Sequence, residues 1–237
     1  FGLLYIWYWF FKNRDLIKES DVIHCHDVFV WYLPFRILYP KKKVYITFHG
    51  YEEYPLKKIS ILIRKLSAKL SRANICIGKF IEKWYGIKAD YISYGAVDTS
   101  KFKPRDIEPK YDAVFVGRND KQTGINQYLK IKKKILVVSD KLDSENYYPL
   151  GKFAFVSRYL SILEAFACKK PVIAFYDNPL KKDYLAMTPF AGWIEMASNP
   201  DKISYKVSEF QIESAFKWSQ TQTWDKLAEV YLKLWKV

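Results

Sequence analysis

The run from Phe153 to Tyr176, FAFVSRYLSILEAFACKKPVIAFY, limits what this chain can fold into more than any other stretch. It opens on Phe153-Ala154-Phe155-Val156, the length and composition of a strand buried on both faces. Ser157 and Arg158 then break the apolar run. From Ser161 the spacing turns helical, with Ile162, Leu163, Ala165, Phe166 and Ala167 on one apolar face. Glu164 is expected in the first turn, where the helix dipole favours a carboxylate. Lys169-Lys170 close the helix, Pro171 stops it, and Val172 to Phe175 reads as a second buried strand. Strand, turn, helix and strand together predict a right-handed crossover between parallel strands. Ligands of such units gather at the carboxyl ends of the strands, here around residues 157 to 164. Amides at that helix N-terminus suit a phosphate, and Glu164 suits a sugar hydroxyl; the plain alternative is an acid that only supports its helix.

With 237 residues the chain can form one large domain or two modest ones, each with its own core. Half the residues are apolar and 18% aromatic, which excludes a disordered chain. Basic residues outnumber acidic ones by 39 to 25, but they are dispersed in short runs such as Lys41 to Lys43, Lys132 to Lys134 and Lys181-Lys182. Such an excess favours anionic partners: nucleotide diphosphates, acidic lipid headgroups or nucleic acid. Nucleic acid ranks last, because the lysines are spread and the aromatics fall at core-periodic positions. Cys25, Cys76 and Cys168 match no metal-knuckle or disulfide spacing, so they are expected as reduced core thiols in a cytoplasmic protein. No apolar run approaches the span of a bilayer. The opening FGLLYIWYWFF is expected to start a buried helix over residues 3 to 20, the alternative being a patch on a membrane surface.

Along the chain, Val22 to Asp27 reads as a strand with His24 and His26 on one face and Cys25 on the other. A metal site there is disfavoured, since adjacent strand residues cannot all converge on one ion. A helix over residues 30 to 39 precedes the strand Lys43 to Phe48, which runs into His49-Gly50 and so sets an imidazole at a strand's carboxyl end. Residues 56 to 71 form an amphipathic helix whose stripe of Ile59, Leu62, Ile63, Leu66 and Leu70 is expected to face the core. A strand at residues 74 to 77 and a helix at 79 to 85 follow. Tyr111 to Val116 is a strand, Gly117 to Gly124 a turn, 125 to 131 a helix, and 135 to 138 a strand. Asn178 caps a further helix with Pro179 at its first position; Gly192 to Met196 reads as a last strand, and helix signals occupy Ser198 to Glu209. The tail ends in an amphipathic helix carrying Trp224, Leu227, Ala228, Tyr231, Leu232 and Trp235.

Several of these stretches resemble the retaining GT-B glycosyltransferases of family 4, the "glycosyl transferases group 1" family. SRYLSILEAFACKKPVIA is similar to that family's E-G-F-G-x-x-x-x-E-A-x-A-x-x-x-P-V-I, with Glu164 on the second acid, Val156 in place of the first, and Ser157 and Tyr159 in place of the glycines. DVIHCHD resembles its D-V-V-H-x-H strand, and Thr47-Phe48-His49-Gly50 its T-x-H-G. YGIKADYISYGAVDTSKFKP resembles the run joining the family's two domains, matching at Tyr85-Gly86, Gly95, Val97-Asp98, Phe102 and Pro104. Val116-Gly117-Arg118 and Gly124 resemble V-G-R-x-x-x-x-K-G, with Thr123 in the lysine's place and Lys121 as its substitute.

The resemblance implies two Rossmann-like α/β domains. An N-terminal acceptor-side domain would cover residues 1–104, a nucleotide-sugar-binding domain 105–213, and a helix over 214–237 would cross back to the first domain. It implies retaining transfer of a hexose from a UDP- or GDP-linked donor, with no permanently bound cofactor and no metal. In that scheme Gly117, Arg118, Lys121 and the amides of Tyr159, Leu160 and Ser161 hold the diphosphate. Ser139 lies where the base is contacted, Glu164 binds the ribose, and His49 lies near the transferred sugar. The acceptor is a glycan, a lipid-linked group or a protein, with a membrane surface as a further partner. The resemblance begins in the middle of the family's first domain, so a fragment, a shortened protein or a segment supplied by a partner chain are the three expectations for its start. The rival to an enzyme is a non-catalytic or partner-dependent relic of the same fold.

Overall fold

The computed structural model describes residues 2–50, 53–120, 123–139, 141 and 143–235. The chain divides into two compact units, Phe1–Ser93 with Val230–Val237, and Tyr94–Glu229.

The first unit is built on a parallel sheet of β1 (Val22–His26), β2 (Lys43–Phe48), β3 (Ala73–Ile77) and β4 (Tyr91–Ser93), in that spatial order. Every residue of β2 after Lys43 is buried, as a strand covered on both faces requires. Its helices are α1 (Gly2–Lys12), α2 (Arg14–Glu19), α3 (Phe29–Leu38), α4 (Lys58–Leu70) and α5 (Phe80–Tyr85). Gly86 ends α5 with φ +61, the left-handed conformation that a helix C-cap favours.

Two expectations fail in this unit. The continuous helix over residues 3 to 20 is interrupted at Asn13, and α1 buries none of its residues. The segment is apolar all round, but only one side meets α3: Trp7 Nε1 donates to the Val30 carbonyl at 3.1 Å, and Phe10 lies 5.5 Å from Phe35. Leu4, Tyr5, Tyr8 and Phe11 are left in solvent. The stripe on α4 also fails to face the core as a whole, with Ile63 and Leu70 only half-buried. Ile59, Leu62 and Leu66 are exposed, whereas Arg64 and Ser67 are buried. Arg64 explains the choice of face, for it pairs with Asp27 at 3.3 Å and stacks on Tyr85 at 4.4 Å. A half-buried carboxylate partner and an aromatic face outweigh the burial of aliphatic side chains here.

The second unit holds a five-stranded parallel sheet in the order β6 (Ile135–Val138), β5 (Tyr111–Val116), β7 (Gly151–Phe155), β8 (Val172–Phe175), β9 (Glu195–Ala197). Its helices are α6 (Ile125–Tyr128), α7 (Tyr159–Ala167), α8 (Pro179–Ala186), α9 (Glu209–Ser219) and most of α10 (Trp224–Trp235), whose end belongs to the first unit. At Gly151 a Cβ would stand 2.7 Å from the Val114 amide, so only glycine lets β7 approach β5 this closely. Tyr128 fills the core beside Phe115, Phe155 and Phe175, stacks on Phe155 at 4.8 Å and donates its hydroxyl to Ile173 O. The Asn178 side chain caps α8 by accepting from the Lys181 amide at 2.8 Å, as its sequence implies. The helix signals after Ser198 yield only a short 3-10 turn, and α9 starts later from a Ser208/Gln211 capping box.

Residues 94 to 104, read from the sequence as part of the first domain, sit in the second unit. The Val97 amide donates to Gln222 O, and Phe102 meets Tyr148 edge-on at 6.1 Å. The adjoining proline-bearing run is tied down as well, with the Lys110 amide donating to Leu150 O.

Candidate functional site

In the second unit β5 and β7 are adjacent and parallel, with Phe115 opposite Phe155. Their carboxyl ends therefore deliver Gly117-Arg118 and Ser157-Arg158 side by side. Ser139 follows β6 on the other flank, where the Gly117 amide donates to Val138 O. Arg118 lies in the turn after β5 with 72% of its side chain exposed, and its Nε stands 3.4 Å from Asp120 Oδ2. Lys121 lies outside the described residues.

Thr123, which stands where the resemblance places a lysine, is buried. Its hydroxyl faces the carbonyls of Arg118 and Asp120 at 2.9 and 2.7 Å, its amide donates to Asp120 Oδ1, and its own carbonyl accepts from Ser157 Oγ at 2.9 Å. The Thr123 hydroxyl thus shapes the turn, a task a lysine could not perform, while its backbone carbonyl ties the turn to Ser157 just ahead of α7.

The three amides expected at the α7 N-terminus are not equivalent. Tyr159 N already donates to Tyr184 Oη at 3.0 Å, with the two rings stacked at 4.0 Å. Among the described residues, the amides of Leu160 and Ser161 have no hydrogen-bond partner. Two open donors thus stand at the positive end of a helix, after the strand that neighbours the one leading into exposed Arg118. Behind that helix start lies Lys181, only 2% exposed, with Nζ donating to Ser157 O and lying over the Tyr184 ring. Burial holds its ammonium well below the usual lysine range. The sequence reading missed Lys181, although Leu180, Tyr184 and Leu185 at neighbouring helical positions put it on the inner face.

Glu164 differs from its expectation. Because α7 starts at Tyr159 rather than Ser161, Glu164 falls in the second turn, beyond the reach of the first-turn dipole effect. Its Oε2 lies 2.9 Å from Tyr148 Oη, which also approaches Ser161 O at 3.1 Å. Burial pushes the Glu164 carboxyl up to about 7 against that hydrogen bond, and Glu145 adds to the rise. Val156, in the place of the first acid, is sealed in the core at 1% exposure.

In the first unit all three histidines meet at the carboxyl ends of β1 and β2. His26 stacks between His24 and His49, and His26 Nδ1 lies 2.7 Å from His49 Nε2. The indole of Trp235 donates to His24 Nδ1 at 2.9 Å, so the neutral ring carries its proton on Nε2 and donates to Thr47 Oγ1. Thr47 in turn meets Tyr231 Oη at 3.1 Å. Burial, then the neighbouring His26 and His49, lower His24 to about 4. Burial also lowers His49, partly offset by Asp27, whose carboxylate accepts from the His49 amide. Among the described residues no group of three or more histidine, cysteine or acid side chains is placed to hold a metal ion. A surface hollow lined by Asp21, Tyr39 and Lys41 to Lys43 lies at the opposite, amino end of these strands and is no part of the histidine cluster.

Two parallel-sheet units of four and five strands, flanked by helices, define a two-Rossmann, GT-B-like fold. Solved structures carry the same fold. A glycosyltransferase from Rickettsia africae ESF-5 matches 99% of this chain and 79% of its own length, with TM-score 0.62 and 14% identity. HepE from Anabaena in complex with UDP matches 95% of this chain and 81% of its own, with TM-score 0.71 and 10% identity. TarM matches at TM-score 0.67 and 13% identity, the chain spanning 58% of its length. No protein-family model matches the sequence, and none of the curated proteins does.

Proposed function

We propose that the chain is a glycosyltransferase that takes a hexose from a nucleotide-diphosphate sugar and passes it to an acceptor with retention of configuration. The observation that carries the reading is the edge formed by exposed Arg118 and the open amides of Leu160 and Ser161, on neighbouring strand ends of one sheet. Such donors stabilise the charge that grows on a departing diphosphate. Lys121 belongs in the same role. Gly117 leaves the backbone free to approach the phosphates, Ser139 lies toward the base, and Glu164 binds the ribose through Oε1. His49 serves the transferred sugar. The complex of HepE with UDP supports a nucleotide donor for this fold. A hydrolysis and transfer screen across UDP- and GDP-sugars tests the proposal. Arg118→Ala should abolish turnover with the fold intact, and undiminished turnover would contradict it.

A second reading, donor binding without transfer, is favoured by one observation: the position of the first acid is a buried valine. Tight binding of a nucleotide sugar with no turnover on any acceptor would select it.

A further inference from the structure

We propose that α4, with the adjoining apolar flanks of α3 and α1, docks the first unit onto an anionic lipid surface. The arrangement of α4 points there. Its polar side, Arg64 and Ser67, is turned into the protein, while Ile59, Leu62 and Leu66 form an outward stripe. At 100° per residue Lys58, Lys65 and Lys69 run along one border of that stripe, all exposed, and the helix contains no acidic residue. An apolar strip beside a row of ammonium groups is the layout of a helix lying in the headgroup region, its lysines reaching lipid phosphates.

The stripe is not isolated. Helix α3 packs against both α4 and α1, and all three leave apolar side chains in solvent. On α3 these are Trp31, Ile37 and Leu38, and on α1 Leu4, Tyr5, Tyr8, Trp9 and Phe11. Neither α1 nor α3 carries an acidic residue. Lys12 lies over the Tyr8 ring and Arg14 over Phe11, so the basic groups border the aromatic ones here too. Tryptophan and tyrosine favour the membrane–water interface. The cores of protein–protein interfaces are instead depleted of lysine, which argues for lipid over a second polypeptide. No helix among the described residues is long and apolar enough to cross a membrane, so the surface lies on the bilayer rather than spanning it.

Flotation of the full chain with phosphatidylglycerol-containing vesicles tests this, since it needs no nucleotide sugar and its outcome is independent of any transferase activity. The wild type should float with anionic vesicles and stay at the bottom with pure phosphatidylcholine or in high salt. Lys58→Gln/Lys65→Gln/Lys69→Gln should lower partitioning about a hundredfold, roughly fivefold per lysine. Ile59→Ser/Leu62→Ser/Leu66→Ser should abolish flotation, and circular dichroism of both variants should match the wild type. Wild-type protein that never floats, or variants that float equally well, would overturn the proposal. So would a concentration-dependent dimer, seen by light scattering without flotation and dispersed by the serine variant, because a second copy would then cover the face.

Discussion

Glu164 and Arg64 show how single residues in this chain answer to their surroundings. The Glu164 carboxyl, raised by burial to about 7 from an ordinary 4.5, is protonated more readily in the folded than in the unfolded chain. Its contribution is complete below the unfolded value and is lost as pH rises through about 7, so the ionised form costs stability at alkaline pH. Glu164→Gln should therefore raise stability at pH 8 by on the order of 3 kcal/mol and change little at pH 4. Thermal unfolding at the two pH values checks this, and a variant no more stable than wild type at pH 8 would refute it. Arg64→Ala should act in the opposite direction, leaving Asp27 without its cation and the Tyr85 face without its partner. A loss of about 3 kcal/mol in urea unfolding is expected from breaking such a pair.

At the level of elements, most strands could be read directly from the sequence, and the helices' outward faces could not. Ala113 to Val116 and Val172–Phe175 are apolar runs buried along their length, as strands covered on both faces require, and the apolar run Ile135–Val138 forms an edge strand with Val137 exposed. The short β4 carries no such signal, and it exists because β3 offers it a partner. Periodicity put the α4 stripe inside, but the position of Asp27 across the packing decides which side turns inward, and no local pattern encodes that. The candidate site divides the same way. The strand ends carrying His49, Arg118 and Ser157 were legible, whereas Lys181 beneath Ser157, Tyr184 on the Tyr159 amide and Tyr148 on Glu164 depend on contacts distant in sequence. One consequence is directly measurable. Leu62→Ser should shift stability by no more than about 0.5 kcal/mol, as exposed sites do, and a loss above about 2 kcal/mol would mean the stripe is core after all.

Over the whole molecule, the two parallel-sheet units and their likeness to solved glycosyltransferases establish an architecture, while the proposed activity rests on a few groups in the second unit. Its carboxyl edge offers an exposed guanidinium and two unpaired amides, held in place by the Ser157 to Thr123 hydrogen bond and by Lys181 behind them. The most direct test is calorimetric titration of UDP- and GDP-sugars into the full chain and into Arg118→Ala. A charge-assisted contact is worth about 2 kcal/mol, so one donor should bind the wild type and lose roughly thirtyfold in affinity with the variant. Equal affinity for both proteins, or no binding of any nucleotide sugar to the wild type, would contradict the diphosphate site.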